Sequence, residues 1–331
     1  MTRAAADAPD AGGAPLPSGL WVPVAAAEDL GPDPLPVRAF GHPLALWRDA
    51  QGVRALVDRC PHRGARLSLG RVVPEGLRCG YHGWTFAGDG RCLSVPALPD
   101  FVPPDGHRAQ AWSARERHGL VWVGESAREE ALPALDDLPA RRVLSGPFEV
   151  STSAPRVVEN FLDLAHFAFV HPGTLGDPAQ ATAPGHTVSF TADGRPGIAT
   201  VRVWQPRALA AATGGVWVDY RYEVLGPYSA LLAKRPANGL PGDAYALFAL
   251  PVEETLTRVW FVQATTDEET PDARLQAFQS DVFEQDRPVI ESQWPRRLPL
   301  DRSAERHSAA DRLTLAYRDW LRDCGVRYGT C

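Results

Sequence analysis

Two short segments, each with one cysteine and one histidine, constrain the fold of this chain more than any other feature. The first is Cys60-Pro61-His62-Arg63 and the second, after a spacer, is Cys79-Gly80-Tyr81-His82-Gly83-Trp84. Both segments contain proline or glycine, which bend a backbone into tight loops. Two facing loops of this kind can present two thiolates and two imidazoles to one site. The sequence therefore predicts a metal centre built from Cys60, His62, Cys79 and His82.

The mixture of ligand types within each segment favours an iron–sulfur cluster over zinc. In a Rieske [2Fe-2S] centre, two histidines replace two cysteines on one of the irons. Zinc accepts the same atoms, but zinc sites usually place like residues together as C-x-x-C. A cluster is therefore the predicted occupant, and a mixed zinc site is the alternative.

These two segments, Cys-Pro-His-Arg-Gly and Cys-x-Tyr-His-Gly-Trp, resemble the signature of Rieske non-heme iron oxygenases at all four ligand positions. The resemblance implies the oxygenase component of a system that hydroxylates aromatic rings or removes O-methyl groups. It also implies two cofactors, a [2Fe-2S] cluster and a mononuclear Fe(II).

Composition excludes several other classes of protein. The chain has 331 residues and a net charge of -6, so a nucleic-acid partner has no electrostatic support. No apolar run approaches the roughly 20 residues that span a bilayer. Residues 1–18 lack the regions of a secretory signal and are expected to form a disordered tail. The five cysteines show no disulfide framework, so a cytoplasmic location is expected.

The pattern of turns and apolar residues predicts an α+β protein with two domains. An all-β Rieske domain is expected over residues 19–135, including the start of a charged connection at 125–147. The catalytic domain is expected over 136–331, with an antiparallel sheet covered by helices in a helix-grip-like arrangement. Alternation in residues 216–224 indicates a sheet with one covered face. Further catalytic-domain strands are expected at 201–204, 244–250 and 259–262, and helices at 156–169, 273–294 and 309–321.

A second metal site is predicted in the first of these helices. Asn160, Asp163 and His166 are spaced three residues apart and would share one helical face. His171 lies about 140° further around an ideal helix, so it can meet the same ion only where the helix unwinds, at Pro172. The family resemblance implies that His166 and His171 are two ligands of the mononuclear iron.

The third ligand is predicted from helical geometry. A mononuclear iron that activates O2 takes two histidines and one carboxylate, and the 273–294 helix offers Asp281, Glu284, Asp286 and Glu291. Asp286 falls within the apolar stripe of this helix, where a bare carboxylate costs several kcal/mol unless it is paired or bound to a metal. The predicted stripe consists of Leu275, Phe278, Val282, Val289, Ile290 and Gln293. Asp286 is the predicted ligand, and a buried salt bridge is the alternative.

The resemblance also implies roles for Asp163 and Asn160. Asp163 would accept hydrogen bonds from His166 and from His82 of a neighbouring subunit in a homotrimer, and Asn160 would lie beside the iron. A separate NAD(P)H-dependent reductase, possibly with a ferredoxin, would supply electrons, since no G-x-G-x-x-G nucleotide motif opens a helix after a strand. A Rieske electron carrier with a ligand-binding second domain and a ring-dihydroxylating dioxygenase are the alternatives.

Some residues receive no catalytic role from the sequence alone. Lys234 is the only lysine, which is attributed to codon bias. The isolated histidines are expected to be hydrogen-bonded core residues: His42, His107, His118, His186 and His307. Five aromatic residues are available to line a substrate pocket, but each is expected to belong to the core instead: Trp217, Tyr220, Tyr222, Phe248 and Trp260.

Overall fold

A computed structural model describes residues 19–124, 132–207, 209–210, 214–237, 239 and 242–331. It divides into two compact units, Met1–Ala131 and Leu132–Cys331. The expected tail over residues 1–18 and the first seven residues of the expected connection, 125–131, lie outside the described residues.

The N-terminal unit is built from two antiparallel sheets, as predicted for an all-β domain. The larger sheet has six strands in the order β1-β10-β9-β4-β3-β2. Its strands are β1 Val22–Ala26, β2 Leu35–Ala39, β3 His42–Asp49, β4 Gly52–Val57, β9 Ala111–Arg117 and β10 Leu120–Gly124. The smaller sheet has the order β5-β6-β7-β8, with β5 Arg71–Val73, β6 Gly76–Arg78, β7 Thr85–Phe86 and β8 Cys92–Ser94. Two residues separate the end of β4 from the first cysteine–histidine segment, and the second segment begins directly after β6.

The C-terminal unit is organised around one seven-stranded antiparallel sheet of order β11-β17-β16-β15-β14-β13-β12. Its strands are β11 Arg141–Val150, β12 Ser189–Phe190, β13 Pro196–Gln205, β14 Val216–Gly226, β15 Ser229–Pro236, β16 Asp243–Glu253 and β17 Leu256–Thr265. In β14 the even-numbered residues from 216 to 224 are buried and the odd-numbered ones are not. The predicted alternation is therefore confirmed, and one face of this sheet is covered.

Helices cover that face. They are α1 Ala154–Leu162, α2 Phe167–Val170, α3 Asp272–Ser292 and α4 Arg312–Asp323. Helix α1 packs on β15, β16 and β17, α3 packs on β11, and α4 packs on β13 and α1. A helix-covered antiparallel sheet following an all-β unit is the predicted fold class.

Helix α1 is fastened to α4 by buried ion pairs. Arg156 donates to Glu305 at 2.7 Å, and Arg318 donates to Glu159 and Glu305 at 2.5 Å. Both guanidinium side chains are almost completely buried. Removing one partner of such a network leaves a buried charge uncompensated, which typically costs about 3–5 kcal/mol. The network therefore fixes the position of the helix that carries Asn160.

The structure corrects the predicted connection at residues 125–147. Strand β11 begins at Arg141, inside that segment, and pairs with β17. Its pairing register shifts between Ser145 and Phe148, where Gly146 has φ +111°. A side chain at Gly146 would place its Cβ 2.6 Å from the carbonyl oxygen of Val259. The bulge and Pro147 interrupt the alternating pattern by which strands are recognised in a sequence.

The other predictions differ mainly in extent. Strand β15 was not predicted, although it forms the middle of the sheet. Helix α3 includes Pro288 and matches the predicted 273–294 helix closely. Helix α4 matches the predicted C-terminal helix. In the part of the chain that the structure describes, none of the helices combines the length and the apolar character that crossing a membrane requires.

Candidate metal centres and the adjoining cavity

The two cysteine–histidine loops share one backbone design. In the first, the amide of Cys60 donates to Ala65 and the amide of Gly64 donates back to Cys60, both at 2.8 Å. In the second, Cys79 donates to Trp84 at 2.8 Å and Gly83 donates to Cys79 at 3.1 Å. Each loop closes over the same number of residues. Each also places a glycine with positive φ at its fifth position, +71° at Gly64 and +74° at Gly83, a conformation that costs other residues energy.

The side chains of the loops meet in a way that fits a metal cluster. Cys60 and Cys79 are each 3% exposed, and the rings of His62 and His82 lie 4.5 Å apart between centroids. Burial raises the pKa of the Cys60 thiol to about 11, and the neighbouring Cys79 adds to this effect. Desolvation and the nearby charges of His82 and Arg63 lower the pKa of His62. A metal cluster would stabilise the thiolates that burial disfavours, and it requires neutral imidazoles.

An unpartnered atom supports the same conclusion. Nδ1 of His62 is buried and has no hydrogen-bond partner among the described residues. Buried polar atoms of native proteins almost always have a partner, so a coordinated metal gives this nitrogen the partner it lacks. The donor set of two thiolates and two imidazoles therefore fits the predicted [2Fe-2S] cluster.

His107 has a position that the sequence did not predict. Its ring stacks on Trp84 at 5.1 Å between centroids, and Trp84 stacks on His62 at 4.5 Å with an interplanar angle of 5°. His107 is half-buried rather than part of the core. Three parallel rings thus extend from a cluster ligand, an arrangement that sequence spacing alone does not reveal.

In the C-terminal unit, His166, His171 and Asp286 converge. Their candidate ligand atoms all lie within 4.8 Å of one another. Nε2 of His166 lies 3.5 Å from Oδ1 of Asp286, and Nε2 of His171 lies 3.2 Å from the same oxygen. Two imidazoles and one carboxylate leave positions open for O2, and this is the donor set of a mononuclear Fe(II) that activates oxygen.

The prediction of one continuous helix over residues 156–169 is wrong, because the chain leaves the helical conformation between α1 and α2. Helix α1 ends at Leu162, because Asp163 adopts an extended conformation with φ -81° and ψ 136°. Its carboxylate accepts a hydrogen bond from the amide of Ala165 at 2.9 Å, which stabilises a local turn. The break before α2 separates Asn160 from His166. Asn160 and His166 therefore do not share a continuous helical face. The predicted unwinding near Pro172 is confirmed, because α2 ends at Val170 and His171 leaves the helical conformation with φ -118° and ψ 48°.

Both histidines are oriented through their other ring nitrogen. Nδ1 of His166 lies 3.1 Å from Oδ2 of Asp163, and Nδ1 of His171 lies 2.7 Å from Oε1 of Gln285. A partner at Nδ1 that accepts a hydrogen bond leaves the Nε2 lone pair available to a metal. Gln285 was not predicted; its position next to Asp286 was the only signal in the sequence.

Asn160 and Asp163 have defined contacts in this site. The amide of Asn160 donates to Oδ1 of Asp286 at 3.2 Å. Burial raises the pKa of Asp163, but hydrogen bonds from His166 and from the Ala165 amide outweigh burial and hold it below the ordinary value. Asp163 is therefore a carboxylate at neutral pH and can orient His166.

The other acidic residues of α3 that could have been the third ligand do not point to the metal site. Asp281 and Glu284 are exposed, and Glu291 accepts a hydrogen bond from the amide of Ser151 at 2.8 Å. Within the predicted apolar stripe, Val289 is 43% exposed, and Phe283 takes the buried position instead. Asp286, at 8% exposure, is buried as predicted.

A largely apolar cavity adjoins the three converging residues. Its described walls come from α1, α2, α3 and strands β14 to β17, and its aromatic residues are Phe161, Phe167, Tyr220, Tyr222, Tyr245, Phe261, Phe278 and Phe283. Of the five aromatic residues that were available to line a pocket but expected in the core, Tyr220 and Tyr222 line it. Phe248 and Trp260 are fully buried and are not among the described lining residues, and Trp217 is 47% exposed.

The hydroxyl of Tyr222 is a buried polar group in the wall of this cavity. It has no hydrogen-bond partner in the described part of the chain. Burial, together with the charges of Tyr220, Asp163 and Asp286, raises its pKa well above the ordinary value. Tyr222 therefore keeps its proton and can donate a hydrogen bond to a ligand in the cavity.

Comparisons with known proteins agree with both sites. Residues 20–105 match the Rieske [2Fe-2S] domain family, and residues 150–326 match the vanillate O-demethylase oxygenase C-terminal domain family. The first match decides against a zinc site. The second, which covers more than half of the chain, decides against a simple electron carrier.

Relatives of known activity span nearly the whole chain. Methylxanthine N1-demethylase NdmA of Pseudomonas putida is 32% identical over 92% of this chain and 88% of its own length. Its structure with caffeine superposes with a TM-score of 0.79 at 30% identity, over 92% of this chain and 90% of that one. Oxidoreductase NdmD of P. putida is 45% identical, but only over 31% of this chain and 18% of NdmD.

The converging donor sets and these matches lead to one conclusion. This chain belongs to the Rieske non-heme iron oxygenases, oxidoreductases that use a [2Fe-2S] cluster and a mononuclear iron to oxidise small organic molecules with O2.

Proposed function

We propose that this oxygenase removes a methyl group from a nitrogen or oxygen atom on an aromatic substrate. The observation that carries the proposal is the position of His166, His171 and Asp286 at the wall of a cavity lined by aromatic rings. The name of NdmA and the vanillate O-demethylase domain family both describe demethylation. Oxidation of such a methyl carbon by one atom of O2 gives formaldehyde and the demethylated substrate, while the other oxygen atom leaves as water.

The proposed reaction uses two metal sites. Cys60, Cys79, His62 and His82 hold the cluster, and His166, His171 and Asp286 hold the iron. When bound, the cluster supplies single electrons and the iron supplies the chemistry that activates O2. Asn160 restrains the Asp286 carboxylate through its hydrogen bond. The aromatic walls bind the substrate ring and exclude water.

Asp163 has a further role in this proposal. Its Oδ2 atom is hydrogen-bonded to His166, its Oδ1 atom accepts the backbone amide of Ala165, and its side chain is 26% exposed. In a homotrimer this carboxylate would accept a second hydrogen bond from His82 of the partner subunit. The exposure of His82 supports this arrangement. A carboxylate between two imidazoles would orient both and couple the two metal sites.

Electrons would come from a separate reductase, directly or through a ferredoxin, and the protein would act in the cytoplasm. The similarity to NdmD, an oxidoreductase, supports a reductase partner of that kind. We retain 19–135 and 136–331 as the proposed limits of the Rieske and catalytic domains.

The proposal is tested with purified protein, a surrogate reductase and a panel of methoxy- and methylamino-substituted aromatics. We expect O2 uptake to be matched by formaldehyde and by the demethylated product. A cis-diol that contains both atoms of labelled O2 would instead identify a ring-dihydroxylating dioxygenase. O2 uptake without any oxidised product from the panel would contradict both assignments.

A further inference from the structure

The only lysine of this chain lies in the wall of the cavity. Apart from histidine, every other basic side chain is arginine, and the buried Arg156 and Arg318 are held in ion pairs. Lys234 is 6% exposed and belongs to the residues that line the cavity beside the metal site. Lysine is almost never fully buried unless its charge is offset. Codon bias accounts for the abundance of arginine, but it does not explain the burial of this ammonium group.

The sheet register places Lys234 on the same inward face as the aromatic walls. On β15, Leu232 and Lys234 are both buried cavity residues, while Arg235, the next residue after Lys234, is exposed. Lys234 pairs with Tyr220 on β14. Its Nζ lies 5.4 Å from the centroid of the Tyr220 ring and 4.9 Å from that of Tyr245. Both rings also line the cavity, so the ammonium lies between two of its walls.

Asp243, whose negative charge acts on Lys234, is held within the sheet. Asp243 pairs with Lys234 across β15 and β16 and is 5% exposed. Its carboxylate accepts hydrogen bonds from Tyr245 and Gln263 at 2.8 Å and from Thr265 at 2.5 Å. Asp243 is not among the described residues that line the cavity. Lys234 therefore lines the cavity, whereas Asp243 does not.

We propose that Lys234 is a specificity-determining residue that binds an anionic oxygen group on the substrate, so that the preferred substrates are aromatic anions such as carboxylates, sulfonates or phenolates. The inference rests on the proposed function, because it concerns the substrate of the same cavity. Lys234 is the only lysine or arginine among the described lining residues. An anionic oxygen would gain a charge-assisted hydrogen bond in a site from which water is largely excluded.

The protonation of Lys234 agrees with this role. Burial lowers its pKa to about 8, and the charge of Asp243 opposes that shift. The amine is therefore mostly protonated at neutral pH, in surroundings that disfavour its charge. A bound anion would relieve that cost, whereas a neutral ligand would not.

The test compares matched acids and amides on the full-length holoenzyme without reductase. Binding of 4-methoxybenzoate, 3-methoxybenzoate and benzoate is measured by calorimetry against the corresponding amides. We expect the wild type to prefer the acids. In Lys234→Met, the Kd of the acids should rise about tenfold to a hundredfold, the range expected for losing a hydrogen bond to a charged group. The Kd values of the amides should change less than about threefold.

Two further variants make the result decisive. Arg235→Met removes an exposed cation next to Lys234 and should leave the acid-to-amide ratio unchanged. Lys234→Met/Asp243→Asn removes both charges, so it reports on binding even if the single variant, with Asp243 left unpaired, does not fold.

An unchanged ratio in the folded lysine variants, or a wild type that shows no preference for the acids across the panel, would overturn the inference. Formaldehyde formation is measured separately, so failure of the demethylase assignment remains distinguishable from failure of this one.

Discussion

The two metal centres of this protein differ in how far apart their ligands lie along the chain. The cluster ligands lie between residues 60 and 82, and each loop is closed by backbone hydrogen bonds within six residues. The ligands of the other site come from α2 and its flanks and from α3, with His171 and Asp286 more than a hundred residues apart. The first site is specified locally. The second depends on how a sheet and its helices pack.

This difference predicts which changes each site tolerates. The cluster loops depend on a few backbone conformations and should be sensitive to single glycine substitutions. The mononuclear site depends on side chains held by neighbours on separate elements, so its ligands can be removed without loss of the fold.

The largest expected effect is the loss of turnover in Asp286→Ala. The iron should be lost because one of its three protein ligands is missing, while the cluster keeps its visible absorption and its acid-labile sulfide. Iron analysis, absorption spectra and product assays check this expectation. Asp281→Ala, which removes an exposed carboxylate from the same helix, is the control and should retain iron and activity. Full iron content with normal turnover in Asp286→Ala would contradict the assignment of the third ligand.

A smaller effect is expected when Gln285 is changed to Leu. Its oxygen holds Nδ1 of His171 at 2.7 Å, and outer partners of metal-binding histidines typically contribute about 10-fold to 100-fold to metal affinity or activity. Iron affinity, measured by titration of the iron-depleted protein, should fall by about that factor, with little change in cluster content. Glu284→Gln, at the exposed preceding residue, provides the control. Equal affinities in the two variants would remove Gln285 from the site.

Substitution of Gly64 by Ala should destabilise the first cluster loop by about 1–2 kcal/mol, because φ is +71° there and a left-handed conformation is costly for alanine. No close contact contributes, since the nearest atom to an added Cβ is Nε of Arg59 at 3.6 Å. Denaturant unfolding that monitors cluster bleaching measures the change. Gly31→Ala, with open space around its Cβ and no positive φ, should be neutral. A neutral Gly64→Ala would show that the loop tolerates another conformation.

The smallest predicted effect is a pH dependence from Lys234. Its pKa is lowered from 10.5 to about 8 in the folded protein. Between these values the unfolded chain binds more protons, so the contribution of this group to stability rises with pH. The groups that face Lys234 are Tyr220, Tyr245 and Asp243, and burial raises the pKa of each of them above its ordinary value.

From pH 7 to pH 9, the free energy of unfolding of the wild type should therefore increase by about 1 kcal/mol relative to Lys234→Met. Denaturant titrations at both pH values measure it. A difference that stays constant or changes sign would mean that the lysine is not buried in the folded state.

Predictions from the sequence were correct where a local pattern has a direct physical cause. The alternation of β14 follows from one covered sheet face, and Asp286 was predicted because a carboxylate in an apolar stripe needs a partner. The predictions failed where contacts across the fold decide. The end of α1 at Leu162, the partnership of Gln285 with His171 and the burial of Lys234 depend on neighbours distant in the chain. Strand β11 was also missed, because its bulge at Gly146 interrupts the alternating pattern.

By itself, the sequence determined the loop chemistry, the two-part architecture and the residue types for both metals, because ligand spacing, glycine positions and apolar periodicity are local properties. Only the tertiary structure decided which atoms of His166 and His171 face Asp286 and which side chains line the cavity. Those outcomes depend on sheet register and helix packing, and both are set by burying side chains that lie far apart along the chain.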